Sequence, residues 1–271
     1  NSGFAIGTVN TAGFTATTSL TLNSTGTVTQ SNLISTPSLV LLGTGGTYTL
    51  TNTGNAITTL AGNTGTVSFL ENSGYAIGTI GSTTGLTTSG NTTLSSTGTV
   101  TQSAVITAAG LELLGSGGVF TLTNTGNAIT TLAGNTGTVS FADNGGFAIG
   151  TVNTAGLTTS GNTTLNSAGT VTQSAAITAA GLELLGSGGT YTLTNTGNAI
   201  TTLAGNTGTV SFVENSGFAI GTVNTVGLTT SGNTTLSSTA TVTQSQKIAA
   251  TGLELLGTNG IFTLTTGTNA I

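Results

Sequence analysis

The chain has 271 residues, among them 44 glycines and one proline, and it contains no cysteine, methionine, tryptophan or histidine. One Lys or Arg residue against six Asp or Glu residues excludes a basic track for nucleic acid, and no run approaches the roughly 18 apolar residues of a membrane span. Hydrophobic residues make up 35% of the chain and charged residues 3%, so it can bury a core but must build its solvated face from Thr, Ser, Asn and Gly.

Three motifs recur along the chain at intervals of 71 or 72 positions. They are the aromatic residue of Gly-Phe/Tyr-Ala-Ile-Gly (Phe4, Tyr75, Phe147 and Phe218), a glutamine (Gln30, Gln102, Gln173 and Gln244) and the asparagine of Asn-Ala-Ile (Asn55, Asn127, Asn198 and Asn269). We therefore expect one β-solenoid over residues 1–271, made of nearly four copies with approximate bounds 1–71, 72–143, 144–214 and 215–271.

One stretch breaks the register of this repeat. Residues 78–85 are one residue longer than the equivalent residues 7–13, and both stretches are rich in Gly and Thr. Surface loops tolerate insertions better than the strands that they connect. The stretch is therefore predicted to be a surface turn.

Each copy divides into three parts, and each part holds about three short runs with strand character. Residues 182–185, 190–193 and 199–203 are examples, rich in Thr, Leu, Ile and aromatic residues and separated by Gly, Asn and Ser. No helical periodicity appears. The pattern predicts an all-β fold, a right-handed parallel β-helix with about three short strands in each rung of roughly 24 residues.

About eleven such rungs, at the spacing of strands in a sheet, make a rod of order 50 Å. A β-sandwich is the competing fold, because it also has short strands at regular intervals. The almost verbatim repetition favours the solenoid, since a sandwich has no reason to repeat itself four times.

Equivalent positions of the copies are expected to stack into ladders, with members of one series three rungs apart. The apolar series are Phe69, Phe141 and Phe212; Tyr48, Phe120, Tyr191 and Phe262; and Ile34, Ile106, Ile177 and Ile248. The asparagine series follows glycine, so we expect it at a turn, where Asn and Gly tolerate left-handed backbone and the amides can bond to neighbouring rungs.

The charged residues form no constellation typical of catalysis. The acids fall into two series, and their members are Glu112, Glu183 and Glu254 in one and Glu71, Asp143 and Glu214 in the other. Acid–base catalysis usually uses His or paired carboxylates, and the members of one series are expected about 14 Å apart. We interpret the acids as solvated surface residues and Lys247 as a lone surface lysine, so no catalytic, cofactor or metal site is predicted. A weak Ca²⁺ pair between the two series stays open, although Ca²⁺ wants six to eight oxygens and Val40 replaces the acid in the first copy.

Thr-x-Thr/Ser motifs recur, as at 49–51, 66–68 and 99–101, and regular ladders of this kind are a feature of some ice-binding proteins. The central residues Leu50, Val67, Val100 and Leu122 are separated by 17, 33 and 22 positions. Such unequal steps are expected not to share one face of the rung, so ice binding is kept only as an alternative.

Three phrases carry a resemblance to a known family. They are Gly-Thr-Val-Thr-Gln-Ser at 98–103 and 169–174, Gly-Leu-Glu-Leu-Leu-Gly at 110–115 and 181–186, and Phe-Ala-Ile-Gly-Thr-Val at 4–9, 147–152 and 218–223. These phrases resemble the repeats of filamentous-haemagglutinin-like exoproteins of the bacterial two-partner secretion type. The resemblance covers the whole chain and implies a right-handed β-helix shaft, export to the cell surface and a role in adhesion or biofilm. The secretion domain and the toxin tip of that family are not evident, so we expect shaft only.

These observations predict a non-enzymatic structural shaft or filament segment of a secreted protein at the bacterial cell surface, which mediates adhesion or fibre formation. The start Asn1-Ser2-Gly3 is typical of a processed product or an excised fragment. The expected partners are other copies of the chain, in head-to-tail or lateral assembly, and cell surfaces or glycans; no nucleic acid and no cofactor are expected. The alternatives are a binding module for glycan or ice on a Thr/Asn-rich face, and a β-helix polysaccharide enzyme, which the lack of His and of clustered acids disfavours.

Overall fold

The computed structural model describes residues 2–271 and shows an all-β chain that coils into a parallel β-solenoid of about 12 turns. The predicted fold class is confirmed, and the described residues contain no helix. Successive turns lie about 21 residues apart, so each rung is shorter than predicted. At about 4.8 Å per turn, the stack is roughly 58 Å long.

The strands among the described residues are β1 (Phe4–Ile6), β2 (Phe14–Thr15), β3 (Ser19–Asn23), β4 (Thr27–Gln30), β5 (Ile34–Leu50), β6 (Ala56–Leu70), β7 (Gly74–Ile77), β8 (Thr79–Ile80), β9 (Thr83–Thr84), β10 (Leu86–Thr88), β11 (Thr92–Ser95), β12 (Thr99–Gln102), β13 (Ile106–Leu122), β14 (Ala128–Ala142), β15 (Gly146–Ile149), β16 (Leu157–Thr159), β17 (Thr163–Asn166), β18 (Thr170–Gln173), β19 (Ile177–Leu193), β20 (Ala199–Val213), β21 (Ala219–Ile220), β22 (Leu228–Thr230), β23 (Asn233–Ser237), β24 (Thr241–Gln244), β25 (Ile248–Ala249), β26 (Gly252–Leu256) and β27 (Ile261–Thr263).

Parallel pairing between consecutive turns builds the solenoid. Val28 of β4 pairs with Tyr48 of β5, and Tyr48 pairs with Val67 of β6. The next pairing, from Val67 to Thr92, spans a longer stretch of chain because the chain makes an excursion between these two residues. The long strands β5, β13 and β19 pair in parallel with β6, β14 and β20, which excludes the antiparallel sheets of a β-sandwich.

The long strands bend around the rung instead of running straight. In β13 the pairing register shifts between Gly115 and Val119, where the chain turns a corner. Gly115 and Gly117 have φ of 129° and 77°, a backbone that residues with side chains rarely adopt. The glycines of each copy therefore mark the corners that let one strand continue onto the next side.

Alternating residues point into the core and out to solvent. In β12, Val100 is fully buried while Thr99 and Thr101 on either side are exposed. The rings of Phe69 and Tyr75 meet edge to face with centroids 5.1 Å apart, an arrangement that aromatic pairs prefer. The same contact recurs in the pairs Phe141–Phe147 and Phe212–Phe218.

The predicted stacking of equivalent residues is wrong. Four pairings upward from Phe69 lead through Leu94, Leu113 and Gly134 to Leu157, and so pass Phe141 by. The Tyr48 and Ile34 series behave in the same way. The physical reason is that the sequence period of 71 or 72 positions is about 3.4 turns and not a whole number, so equivalent residues fall on different sides of the rod.

An amide pair, a buried asparagine and a half-buried glutamine, links three levels of the stack in each of the first three copies. Asn127 Oδ1 accepts hydrogen bonds from Gln102 Nε2 and from the Ile106 N–H, and its Nδ2 donates to the Leu122 carbonyl at 3.3 Å and the Ala142 carbonyl at 3.0 Å. The predicted bonds to neighbouring rungs are thus confirmed. The left-handed backbone that asparagine tolerates is not adopted there, because no member of the asparagine series has a positive φ.

Candidate functional site

Four loops project from the solenoid as short antiparallel hairpins, here termed the arms: residues 7–13, 78–85, 150–156 and 221–227. In the third arm, Thr151 bridges to Ala155, and the Gly156 N–H donates to the Gly150 carbonyl at 2.7 Å. The first and fourth arms have the same bridge, and the second holds the strand pair β8–β9. The surface loop predicted from the one-residue insertion is therefore confirmed.

The third arm folds back along the rod onto Glu112, about two turns earlier in the chain. Asn153 Nδ2 donates to Glu112 Oε2 at 2.7 Å, and the Thr154 backbone N–H donates to Oε1 at 2.6 Å. From the solenoid side, Thr93 Oγ1 donates to Oε2 at 2.9 Å. Hydrogen bonds to an ionised group are roughly twice as strong as neutral ones, so this carboxylate fastens the arm to the rungs beneath it.

The fourth arm repeats this arrangement on Glu183. Asn224 Nδ2 donates to Glu183 Oε2 at 2.8 Å, and the Thr225 N–H donates to Oε1 at 2.6 Å. Thr164 Oγ1 supplies the third hydrogen bond at 2.8 Å. Two copies therefore build the same contact from the same residue types. This contact, in which a glutamate accepts hydrogen bonds from the Asn amide and Thr N–H of an arm and from a threonine hydroxyl of the solenoid, is here termed the clasp.

A glycine makes room for each of these two arms. A Cβ at Gly110 would stand 2.9 Å from Val152 Cγ2, and a Cβ at Gly181 would stand 2.9 Å from Val223 Cγ2. Real Cβ atoms essentially never show contacts this short. Only glycine therefore lets the valine of the arm lie flat on the strand.

The clasped acids are buried, so the interpretation of Glu112 and Glu183 as solvated surface residues is wrong. Each is only 1% exposed beneath its arm. Burial raises the pKa of these carboxyls, but the hydrogen bonds from the arm and from the neighbouring threonine outweigh it, and the pKa of both is held below its usual value. Glu254, the third member of the series, is exposed as predicted.

The first copy departs from this arrangement on both sides of the contact. Val40 stands where the later copies have glutamate, and Ser38 stands where they have the glycine. The facing arm, residues 78–85, carries Ile80 and lacks the Asn-Thr pair, and its strand β8 contacts β5. Val40 is 4% exposed beneath it. The inserted residue in the second arm and the missing acid at Val40 therefore lie on the two sides of one contact.

The second acid series is also buried, against the prediction. Glu71, Asp143 and Glu214 are at most 1% exposed. Asp143 accepts hydrogen bonds from the Ile129 N–H at 2.9 Å and the Gly145 N–H at 2.8 Å. Glu214 accepts from the Ile200 N–H at 3.0 Å and from the Ser216 hydroxyl at 2.7 Å. Burial raises the pKa of Asp143 and of Glu214 in spite of these bonds. These acids hold the turn that joins two rungs.

No group of three or more His, Cys, Asp or Glu residues that could hold a metal lies within residues 2–271. The buried carboxylates are engaged by N–H and O–H donors of the chain itself. A Ca²⁺ pair between the two acid series gains no support from this arrangement, because Ca²⁺ wants six to eight oxygens. Lys247 is exposed, as the sequence predicted.

The four Thr-x-Thr motifs do not all share one face, as predicted, because Val67 pairs with Thr92 whereas Val100 pairs with Tyr75 and Phe120. Shorter ladders of outward threonines nevertheless form on adjoining rungs. The motif centred on Tyr48 pairs with Val28 below and Val67 above. The outward residues of the resulting three-rung ladder are Thr27 and Thr29, Thr47 and Thr49, and Thr66 and Ser68.

Ladders and arms alternate along one side of the rod. Seven successive pairings lead from Val28 in the first ladder to Gln173 beside the third ladder. This column passes through Leu111, whose neighbour Glu112 lies under the third arm. An arm therefore covers the stretch between two exposed threonine ladders.

Comparison of the chain with protein-family models, with curated proteins and with solved structures gives no match. A search of residues 2–271 for a helix long and apolar enough to cross a membrane finds none. The fold and the arms therefore carry the functional argument.

The clasp was not foreseen from the sequence, although a signal for it was present. Asn153 and Thr154 were not singled out, nor were their equivalents in the fourth arm. The repeat is broken at the insertion in residues 78–85 and also at Val40 and Ser38. Departures that occur together in an otherwise strict repeat indicate spatial contact, and this pair of exceptions points to the arm and its acid.

Proposed function

We propose that the chain is a structural shaft, a segment of a secreted adhesin-like fibre at the bacterial cell surface that serves adhesion or extracellular fibre formation. A parallel stack of about 12 turns gives a rod with one continuous core. Such a rod separates what is attached to its two ends. Support for export and for the cell surface comes from the resemblance of the repeats to filamentous-haemagglutinin-like exoproteins.

The observation that carries this proposal is the clasp. Each glutamate is bonded to an arm 41 or 42 residues further along the chain, about two turns away. Ladder hydrogen bonds join only adjacent turns, whereas the clasp ties turns that are not adjacent. A rod under tension benefits from such ties, because one turn cannot peel away before the clasp opens.

Self-association is part of the proposal. A surface with few charges offers little electrostatic repulsion against contacts between copies.

Pulling single molecules by their two ends tests the shaft function. We expect the rod to resist and then to yield in steps that release about 21 residues or multiples of that length. A variant carrying both Glu112→Gln and Glu183→Gln should yield at lower force, while Glu254→Gln should not. Smooth extension at low force, without steps, would contradict the proposal.

A binding module for glycan or ice is the second candidate, and the threonine ladders favour it. Outward pairs of residues on three successive rungs, all threonine except Ser68, form a regular array of hydroxyl groups. In the second copy, Thr121 lies at the centre of such an array, between Thr101 and Ser140. Regular spacing of this kind suits a repetitive ligand.

Glycan-array binding and inhibition of ice recrystallisation test this second candidate. Thr121→Lys places a bulky charge in the ladder, whereas Thr125→Lys places the same charge in an exposed loop outside it. Activity of the parent chain that Thr121→Lys abolishes and Thr125→Lys preserves would favour the binding module. Inactivity of the parent chain in both assays would leave the shaft as the function.

A further inference from the structure

Glu254 lies in the same surroundings as the clasped glutamates but carries no arm. Thr235 Oγ1 donates to Glu254 Oε2 at 3.1 Å, just as Thr93 donates to Glu112. Glu254 is nevertheless exposed, whereas Glu112 is 1% exposed. The solenoid side of the clasp is therefore complete at Glu254, and the arm side is open.

Gly252 forms the second part of this open site. Gly252 and Glu254 together are here termed the cradle. It stands two residues before Glu254, as Gly181 stands two residues before Glu183. A Cβ at Gly181 would meet the valine of an arm at 2.9 Å, but the two atoms within 4 Å of the same point at Gly252 both belong to Asn233. The space that a valine fills elsewhere is a cleft of about 290 Å³, lined by Asn233, Thr234, Thr235, Gly252, Leu253 and Glu254.

The first arm, residues 7–13, is the matching donor. Its tip reads Val9-Asn10-Thr11, the same order as in the third and fourth arms. It is already folded, because Thr8 bridges to Ala12 and the Gly13 N–H donates to the Gly7 carbonyl at 3.1 Å. Val9 is 92% exposed, so this arm has the recognition sequence and shape but no glutamate beneath it.

We propose that the cradle of Gly252 and Glu254 is an interaction surface for the Val-Asn-Thr arm of another copy of this repeat, stacked beyond Ile271. The proposal rests on the shaft function and deepens it by naming the partner and the contact. The arm donates the Asn amide and the Thr backbone N–H to the Glu254 carboxylate, and its valine covers Gly252. Two such contacts within the chain show that the chemistry suffices.

The contact is selective among arms. The second arm lacks the Asn-Thr pair and is one residue longer, and it faces Val40 and Ser38 instead of glutamate and glycine. A glutamate left under that arm would lose two of its hydrogen-bond donors while buried, which is costly for an ionised group. The arm type and the cradle type therefore have to match, and the Glu254 cradle is of the glutamate type.

The test extends the chain after Ile271 with a second copy of residues 201–244, which supplies the next rung and a Val-Asn-Thr arm. Carbodiimide-coupled amidation, read by mass spectrometry, measures how accessible each carboxylate is. In the parent chain we expect Glu254 to react and Glu112 and Glu183 to be protected. In the extended chain, amidation of Glu254 should slow by about tenfold or more, because a clasp of charge-assisted hydrogen bonds must open first.

A matched control carries the same extension with the arm residues replaced by those of 79–84. This chain should elongate equally in small-angle scattering, yet its Glu254 should stay as reactive as in the parent. If the chain elongates but Glu254 stays reactive under the Val-Asn-Thr arm, the inference is overturned while the shaft function stands. The same holds if both arms protect Glu254 equally. Absence of elongation would contradict the shaft function as well.

A second variant tests the matching rule without any extension. In the parent chain, residues 151–155 of the third arm are replaced by residues 79–84. We expect Glu112 to become reactive towards amidation while Glu183, under its unchanged arm, stays protected and reports that the rod is folded. Continued protection of Glu112 would overturn the inference.

Discussion

Glu183 and Thr225 are 42 residues apart in the chain, yet the Thr225 backbone N–H donates a 2.6 Å hydrogen bond to the Glu183 carboxylate. Glu112 and Thr154 have the same relationship one copy earlier. In a chain with one basic residue, backbone and amide N–H groups take the place of lysine and arginine as partners for buried carboxylates. The rod is therefore cross-linked by hydrogen bonds to charge, without ion pairs at these sites.

Glu183→Gln should weaken the clasp. The neutral side chain loses the charge-assisted bonds, and its amide N–H₂ faces donors, so we expect a loss of about 1.5–3 kcal/mol in the free energy of unfolding. Hydrogen exchange at the Thr225 amide should accelerate at the same time. Glu254→Gln is the matched control, since that exposed side chain holds no arm, and it should change stability little. Equal effects of the two substitutions would contradict the clasp.

Gly181→Ala should expel the fourth arm, because the new Cβ would lie 2.9 Å from Val223 Cγ2. Protease cleavage within residues 221–227 should become faster. Gly252→Ala is the control: its Cβ also meets an asparagine oxygen, at 2.9 Å against 2.8 Å for Gly181, but no valine. The difference between the two variants therefore isolates the arm, and an unchanged cleavage rate in Gly181→Ala would argue against this packing.

Two tyrosines should respond in opposite directions to replacement by phenylalanine. The Tyr75 hydroxyl is buried without a hydrogen-bond partner, so Tyr75→Phe should stabilise the chain by about 1–3 kcal/mol. The Tyr191 hydroxyl donates to the Leu185 carbonyl at 2.6 Å and accepts from the Ser167 N–H at 3.0 Å, so Tyr191→Phe should cost about 1 kcal/mol. Urea unfolding of both variants measures this, and a destabilised Tyr75→Phe would contradict the burial of an unpaired hydroxyl.

Stability should change with pH in two opposite steps. The pKa of Asp143 and Glu214 is raised in the folded chain, so the folded state binds these protons first and stability rises as pH falls from neutral. The pKa of Glu112 and Glu183 is lowered, so their contribution is present above the unfolded value of about 4.3 and is lost as pH falls through the folded pKa. Urea unfolding between pH 7 and pH 2 should therefore show a maximum on the acidic side of neutral.

The carboxylates can be assigned to these two steps by substitution. The double variant Glu112→Gln and Glu183→Gln should lose most of the fall at low pH while keeping the rise above it. Asp143→Asn should reduce the rise and leave the fall unchanged. A steady decline of stability from pH 7 downward in the parent chain would contradict the raised pKa of Asp143 and Glu214.

The fold class followed from the sequence because the repeat and the alternation of apolar residues act locally. Val100 between Thr99 and Thr101 is enough to predict a strand with one buried face. The length of a turn did not follow, because the period of the sequence is about 3.4 turns and not a whole number. Because of this mismatch the predicted ladders do not form, and Phe69 and Phe141 lie on different sides of the rod.

The burial of the acids could not be predicted from composition. With a single basic residue in the chain, carboxylates are expected to lie at the surface, because a buried carboxylate usually has a cation beside it. Burial depends on an arm that folds back over two turns, and this contact has no local signature around Glu112 or Glu183. The informative residues were Val40 and Ser38, whose exceptions accompany the altered arm at 78–85. In a strict repeat, a contact between copies can thus be predicted from the sequence only where both partners depart from the repeat together.

The central claim is that turns of about 21 residues stack into a rod. Small-angle X-ray scattering on a chain with one added repeat tests this claim most directly. The added segment is a second copy of residues 144–214, inserted in register after Glu214. The rod should lengthen by about 16 Å, which is 3.4 turns at about 4.8 Å each, with an unchanged cross-section. A thicker particle of unchanged length would contradict the stacked solenoid.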